Sequence, residues 1–289
     1  MVFIGRQQLF SYICHTTQQG TTNCNTITMS NIKAIFFDID GTLVSFKTHR
    51  IPASTLDALE RLREKGIKLF IATGRPKSIV NNLGDFNFDG YVTLNGGVCI
   101  VDGKTIFSRS LPQDDTDMLI EQSRGGERFP CIYVLDDVMA LTGGNAVVDN
   151  VMRMLDLKMP QKVTAEAIRG KRAYQVLAFF SPEEETEIMR LMPGSVTTRW
   201  NDAFTDIIPA GSSKSVGMEK ILELFGITRE ECMAFGDGGN DIEMLRYAGC
   251  GIAMGGSSPE VQAAADYITD NVDNDGILKA LVRFDILER

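Results

Sequence analysis

Histidine is scarce in this chain: only His15 and His49 occur among its 289 residues. A zinc site built from several histidines is therefore excluded, and we expect any catalytic acid or base to be a carboxylate. The six cysteines form no Cys-x-x-Cys pair. Four of them lie in or beside apolar runs, which favours buried, reduced thiols and predicts a reducing compartment, the cytoplasm.

Clusters of positive charge and long apolar runs are also missing. The 29 Lys and Arg residues are outnumbered by 38 Asp and Glu, and the net charge is −9. Nucleic acid and anionic membranes attract a positive surface, so neither is an expected partner. No apolar run approaches the length of a membrane span. The composition, 44% hydrophobic and 23% charged, is that of a globular protein with a sizeable core, and it carries no signal of oligomeric state.

Residues 1–28 differ in composition from the rest of the chain. They contain no Asp or Glu and are rich in Thr and Gln, and Arg6 interrupts the apolar stretch that a signal peptide would keep whole. Met29 stands just before the first convincing strand. We therefore expect a non-structural N-terminal extension that reflects an upstream start not used in the cell, and a weak targeting segment is the alternative.

The next part of the chain alternates between strand and helix patterns. Apolar runs at 33–38, 68–73 and 90–95 predict strands, and segments 53–66 and 76–86 between them are predicted to be helices. Parallel strands need such crossover helices, which pack on both faces of the sheet. The order therefore predicts an α/β fold with a Rossmann-like, doubly wound parallel sheet.

Between residues 112 and 203 the pattern changes. Several strand-like runs are mixed with short helices, and the strand and helix alternation of the first part resumes at 204. We therefore predict two parts. One, at 29–111 and 204–289, is the α/β core, and the other, at 112–203, is an inserted α+β module. Asp102-Gly103, just before the insert, predicts a hairpin turn.

Polar residues cluster where four predicted strands end. They are Asp38 to Thr42, Thr73 to Arg75, Lys214 at the start of a helix, and Gly236 to Asp241. An open parallel sheet binds its ligands at this edge, so Asp38, Asp40 and Asp237 could meet there. Mg²⁺ prefers such oxygen ligands and would offset their repulsion.

These residue types suit chemistry at phosphorus. One carboxylate can attack phosphorus and form an aspartyl-phosphate, and a second can protonate the leaving group and later activate water. Thr73, Lys214 and the Gly-rich turn at 236–239 can hold the phosphoryl oxygens.

Four short motifs occur in a fixed order: "FFDIDGTLV", "ATGR", "PAGSSKSVG" and "GDGGND". Together they resemble the four motifs of the haloacid-dehalogenase-like phosphatase superfamily, from about Lys33 to the end of the chain. The size and place of the insert, together with "TLNGG" at 93–97, resemble the Cof-type subfamily with a type IIB cap. Many members of that subfamily are sugar-phosphate phosphatases.

The resemblance implies a role for each motif residue. Asp38 matches the nucleophile and a Mg²⁺ ligand, and Asp40 matches the general acid and base, with its backbone carbonyl as a second ligand. Asp237 matches the third ligand, and Asp241 would act through a metal-bound water. Lys214 matches the lysine that pairs with the nucleophile and the phosphate.

Other residues are implied to bind the substrate. Thr73 and Gly74 match the phosphoryl-binding motif, and Asn240 would contact the phosphoryl group or Lys214. Four more residues are weaker candidates for substrate contact: Arg75, Asn95, Arg199 and Trp200. The alternatives are that Arg75 lies at the rim, that Asn95 only fixes its turn, and that the last two pack within the cap.

The expected function is that of a Mg²⁺-dependent phosphatase of small phosphorylated metabolites, above all sugar phosphates. The insert would be a cap that closes over the site. The alternatives are a phosphosugar mutase or other phosphotransferase, an FMN or pyridoxal phosphate phosphatase, and a module that only binds a phosphorylated ligand.

Overall fold

The structure is a computed structural model that describes residues 31–136 and 138–288, and of Trp200 only the backbone. The extension predicted for residues 1–28 lies outside the described residues. The described chain forms α-helices with these bounds: α1 (Ala53–Glu64), α2 (Gln113–Gln122), α3 (Ala146–Met154), α4 (Pro182–Met189), α5 (Lys214–Phe225), α6 (Ile242–Tyr247), α7 (Pro259–Gln262) and α8 (Gly276–Arg283).

The strands of the described chain form two sheets. In chain order they are β1 (Ala34–Phe37), β2 (Lys68–Ala72), β3 (Gly90–Thr93), β4 (Val98–Val101), β5 (Lys104–Ser108), β6 (Cys131–Leu135), β7 (Met139–Thr142), β8 (Gln161–Lys162), β9 (Ala173–Ala178), β10 (Ser195–Asn201), β11 (Phe204–Pro209), β12 (Cys232–Gly236), β13 (Cys250–Ala253) and β14 (Tyr267–Ile268).

The first sheet has eight strands in the order β14-β13-β12-β1-β2-β3-β4-β5, and all pairs from β14 to β3 are parallel. Apolar side chains point to both faces. Phe37 stacks on Phe235 beneath α1 and α8, and Phe36 stacks on Phe70 beneath α5 and α6. Helices cover both faces of a largely parallel sheet, so the predicted α/β, Rossmann-like fold is confirmed.

The second sheet has six strands in the order β10-β11-β9-β6-β7-β8. We call it the cap sheet. Helices α2 and α4 pack on one of its faces, and α3 packs on the other. The behaviour of core and cap as separate domains remains a prediction.

The predicted boundary at 203/204 is wrong for one strand. Strand β11, placed by its sequence in the core, lies in the cap sheet between β10 and β9. All six residues of β11 are buried. A continuous apolar run predicts a buried strand, but it does not specify the sheet to which that strand belongs.

The helix predicted for residues 76–86 is not formed. Only one 3-10 turn is present there, at Lys77–Ile79. The segment contains Asn81-Asn82 and then Gly84, which has a φ of +64°. Asn and Gly favour turns over helix, which accounts for the difference. By contrast, the hairpin turn predicted at Asp102-Gly103 is confirmed, because β4 and β5 pair on either side of it.

No helix of the described residues is long and apolar enough to span a bilayer.

Candidate active site

The candidate active site lies where three neighbouring strands of the eight-stranded sheet end. Asp38, Thr73 and Asp237 directly follow β1, β2 and β12. Since β1 pairs in parallel with both β2 and β12, the ends of these strands lie at one edge of the sheet. The structure therefore brings together residues from the first, second and fourth motifs, as the order of the strands implies.

Lys214 contributes the third motif to the same edge. It is the first residue of α5, its side chain is fully buried, and Ser213 caps the helix by accepting a hydrogen bond from the Val216 N–H. Its Nζ lies 2.6 Å from Asp38 Oδ1 and 2.6 Å from Asp241 Oδ1. Burial disfavours the ammonium, but the two carboxylates outweigh it and raise the pKa of Lys214 above its usual value. Lys214 is therefore a fixed positive charge.

Three carboxylates, those of Asp38, Asp237 and Asp241, have oxygens within 4.8 Å of one another. Asp237 accepts a hydrogen bond of 2.7 Å from the Thr42 hydroxyl, and Asp241 Oδ2 accepts the backbone N–H groups of Asp237 and Gly238. Burial raises the pKa of Asp38 well above its usual range, although Lys214 opposes this. Burial and the charge of Asp241 raise the pKa of Asp237 to about 7. When all three are ionised, these carboxylates carry more charge than the one lysine that contacts them, and their mutual repulsion adds to burial in raising both pKa values.

The donor set of this cluster fits Mg²⁺. It presents oxygen atoms and an excess of negative charge, which a hard divalent cation would offset. A packing detail supports this reading, because Gly41 has a φ of +91° and a Cβ atom added there would collide with the Asp237 carboxylate. Glycine thus leaves room for that carboxylate beside the strand end. The Asp40 carbonyl as a ligand remains a prediction.

Gly41→Ala is expected to weaken Mg²⁺ binding about tenfold or more, because the new methyl group displaces Asp237. Titration of the protein with Mg²⁺ by calorimetry measures the effect. Gly103→Ala is the matched control, since Gly103 also has a positive φ, of +71°, but open space around it. Equal Mg²⁺ affinities for the two variants would contradict the assignment of Asp237.

Asp40 is paired with Arg75. Arg75 Nε and Nη2 each lie 2.7 Å from one oxygen of the Asp40 carboxylate, which is a bidentate ion pair. Arg75 Nη2 also lies 3.4 Å from the carbonyl of Leu155, at the end of α3. Arg75 lines the cavity described below, but its side chain is directed to Asp40. Both oxygens of the Asp40 carboxylate are therefore engaged by this one guanidinium.

The residues predicted to bind phosphate are hydrogen-bonded within a buried polar network. The Thr73 hydroxyl accepts the Arg75 N–H, and the Gly74 carbonyl accepts a hydrogen bond from Gln175 of β9. Asn95 is 1% exposed and bonds to Gln175, Asp206 and Asn240. Gln175 and Asp206 were not identified from the sequence, since a single polar residue in a strand gives no signal of its partner.

A cavity of about 670 Å³ opens over the strand ends. Asp38, Asp40 and Asp237 form its floor, with Thr73 and Asn240 beside them. The cap sheet and α3 supply much of the remaining wall, including Met139, Met152, Leu157, Gln175, Leu177, Phe204 and Asp206. A small molecule in this cavity would therefore touch both sheets.

The weaker candidates for substrate contact differ in their position relative to the cavity above Asp38. The Arg199 guanidinium pairs with Glu185 at 2.9 Å and donates to the Phe180 carbonyl, so it packs within the cap. It lines a neighbouring cavity of about 600 Å³ and not the one above Asp38. Asn95 is buried and is not among the residues that line the cavity above Asp38, and its contact with substrate stays a prediction. The prediction for Trp200 concerns a side chain outside the described part of the structure.

The fold and the site are those expected of a haloacid dehalogenase-like hydrolase, and comparison with known proteins agrees with this class. Residues 35–281 match the family of haloacid dehalogenase-like hydrolases, and the chain belongs to this family. The prediction of a phosphatase of the haloacid-dehalogenase-like superfamily is confirmed.

Several proteins are similar over nearly their whole length. The solved structure of the "HAD Subclass IIB Sugar Phosphatase BT4131" has 43% identity and a TM-score of 0.84, covering 88% of this chain and 100% of that one. "Putative phosphatase YkrA" of Bacillus subtilis is 32% identical, over 89% of this chain and 99% of that protein. The "HMP-PP phosphatase" of Klebsiella pneumoniae is 27% identical, over 82% and 89%.

Proposed function

We propose that this phosphatase hydrolyses phosphate monoesters of small metabolites, above all sugar phosphates, through an aspartyl-phosphate and with Mg²⁺. The observation that carries the proposal is the buried cluster in which Lys214 bonds both Asp38 and Asp241 beside Asp237. A nucleophilic carboxylate beside a fixed cation and a divalent-metal site is what phosphoryl transfer to a side chain requires. A relative that is named a sugar phosphatase supports the substrate class.

The residues of this site account for two chemical steps. In the first, an Asp38 oxygen attacks phosphorus, the ester P–O bond breaks, and Asp40 gives its proton to the leaving alkoxide. In the second, Asp40 takes a proton from water, the water attacks phosphorus, and inorganic phosphate leaves with Asp38 restored. Lys214 holds Asp38 and the phosphoryl oxygens throughout, with Thr73, Gly74 and Asn240 around them.

Mg²⁺, when bound, supplies positive charge to the phosphoryl oxygens. Asp38, Asp237 and the Asp40 carbonyl would hold it, and Asp241 would hold one of its waters.

The apolar part of the cavity wall favours a second candidate substrate class. Met139, Met152, Leu157 and Leu177 line the same cavity as Asp38, and apolar side chains suit a flat ring better than a row of hydroxyl groups. Phosphate esters of alcohols that carry a heteroaromatic ring, such as pyridoxal phosphate or FMN, are therefore a second candidate substrate class. We also propose a reducing, cytoplasmic location, supported by four buried free cysteines: Cys99, Cys131, Cys232 and Cys250.

A substrate panel tests this function. We expect the purified protein with Mg²⁺ to release inorganic phosphate from p-nitrophenyl phosphate and from hexose phosphates, and to lose this activity in excess chelator. Pyridoxal phosphate and FMN in the same panel separate the two substrate classes by kcat/KM. Loss of substrate without matching phosphate release would indicate a phosphotransferase, and no turnover of any ester would contradict the proposal.

A further inference from the structure

The loop that follows β3 has an unusual backbone. Leu94, Asn95 and Gly96 have successive φ values of +53°, +50° and +88°. Left-handed conformations are unfavourable for residues with a side chain, and they persist only where the surroundings hold them. Gly96 shows one such constraint, since a Cβ atom there would collide with the carbonyl of Ser213, the cap of α5. The loop is therefore pressed against the helix that begins with Lys214.

The Asn95 side chain connects the two sheets. Its Nδ2 donates to Gln175 Oε1 at 3.2 Å and to Asp206 Oδ2 at 3.1 Å, and both partners belong to the cap sheet. Its Oδ1 accepts a hydrogen bond of 3.0 Å from Asn240 Nδ2, in the fourth motif of the core. Both N–H groups of the Asn95 amide thus donate to the cap sheet, and its oxygen accepts a hydrogen bond from the core.

Gln175 forms a second hydrogen-bonded connection between the cap sheet and the core. Gln175 Nε2 donates to the Gly74 carbonyl at 3.0 Å, so the residue that accepts from Asn95 also holds the second motif. Gln175, Asn95 and Asp206 are each no more than 2% exposed. Hydrogen bonds in such a setting are directional and costly to break, so the position of the cap sheet and the orientation of the Asn240 amide depend on each other.

We propose that Asn95 is a positioning residue, which fixes the Asn240 amide for phosphoryl binding only when the cap sheet is seated above the cavity. This inference rests on the proposed phosphatase function, in which Asn240 contacts the phosphoryl group. It gives Asn95 no contact with substrate. Asn95 acts through Asn240 on one side and through Gln175 and Asp206 on the other.

Asn95→Asp tests the proposal with little change of shape. Asp tolerates a left-handed backbone, and it still offers an oxygen to Asn240. It replaces the donor to Gln175 and Asp206 with an acceptor and sets two carboxylates side by side. We expect kcat to fall about tenfold to a hundredfold, with KM within about threefold of the wild type, since misplacement affects the reaction more than ground-state binding.

Two further variants separate positioning from other roles. In an Asn240→Ala background, adding Asn95→Asp should cost less than about threefold in kcat, because its effect runs through Asn240. Adding Asp206→Asn to Asn95→Asp supplies a new donor to the substituted residue and should restore part of the lost kcat. Asn95→Gly suits the same backbone without adding charge, and it takes the place of Asn95→Asp if that variant does not fold.

The results that would overturn the inference are distinct. An unchanged kcat with only a lowered melting temperature would make Asn95 a structural residue. A raised KM at constant kcat would indicate direct contact with substrate, and losses that multiply in the double variant would remove Asn240 from the connection. A wild-type protein without phosphatase activity would instead refute the proposed function.

Discussion

Asp38→Asn is expected to lower kcat by about ten-thousandfold or more on any phosphate ester that the wild type hydrolyses. The amide has almost the same shape as the carboxylate but is not a nucleophile toward phosphorus. The protein should keep its fold, because the amide keeps the shape of the carboxylate and Lys214 keeps its ion pair with Asp241.

Asp57→Asn is the matched control for this change. Asp57 is an exposed residue of α1 that pairs with Arg61, one helical turn away. Its substitution should leave kcat and KM unchanged. An Asp38→Asn protein that is folded and retains more than about a tenth of the wild-type kcat would exclude Asp38 as the nucleophile.

Lys214→Met is expected to have the second largest effect, on both activity and stability. The lysine is fully buried between Asp38 and Asp241, so its removal leaves two carboxylates without their cation. Removing one partner of a buried ion pair lowers the free energy of unfolding by about 3–5 kcal/mol. We expect a loss of that size in chelator by urea denaturation, partial recovery with Mg²⁺, and a fall in kcat of at least about a thousandfold.

Lys220→Met on the same helix is its control. Lys220 is paired with two glutamates on the surface of α5, Glu219 and Glu223. Surface ion pairs of this kind contribute little, so both stability and activity should stay near the wild type. Equal behaviour of the two lysine variants would contradict the role given to Lys214.

The floor of the site could be predicted from the sequence because its residues directly follow buried strands. Asp38, Thr73 and Asp237 each come immediately after a short apolar run, and parallel strands bring such positions to one edge. Lys214 could be placed for a related reason, since it opens a helix at the same edge. The family resemblance then added a role to each residue, and these roles remain predictions.

The connection between the two sheets could not be predicted. Gln175 and Asp206 are isolated polar residues within apolar strands, and only the tertiary arrangement sets them against Asn95. The same limit applies to β11, whose buried pattern suits either sheet. The ion pair of Arg75 with Asp40 depends on side-chain direction after a turn, which residue type alone does not determine.

Asp38 is proposed to carry the phosphoryl group as a covalent intermediate, and trapping that intermediate tests the proposal. In Asp40→Asn, p-nitrophenolate can leave without a proton, but water lacks its base, so the aspartyl-phosphate should accumulate. The variant is mixed with p-nitrophenyl phosphate and Mg²⁺, quenched in acid, digested and mapped by mass spectrometry. We expect one phosphoryl group per protein, attached to Asp38. A burst of p-nitrophenol with the phosphoryl group on another residue, or with none on the protein, would contradict it.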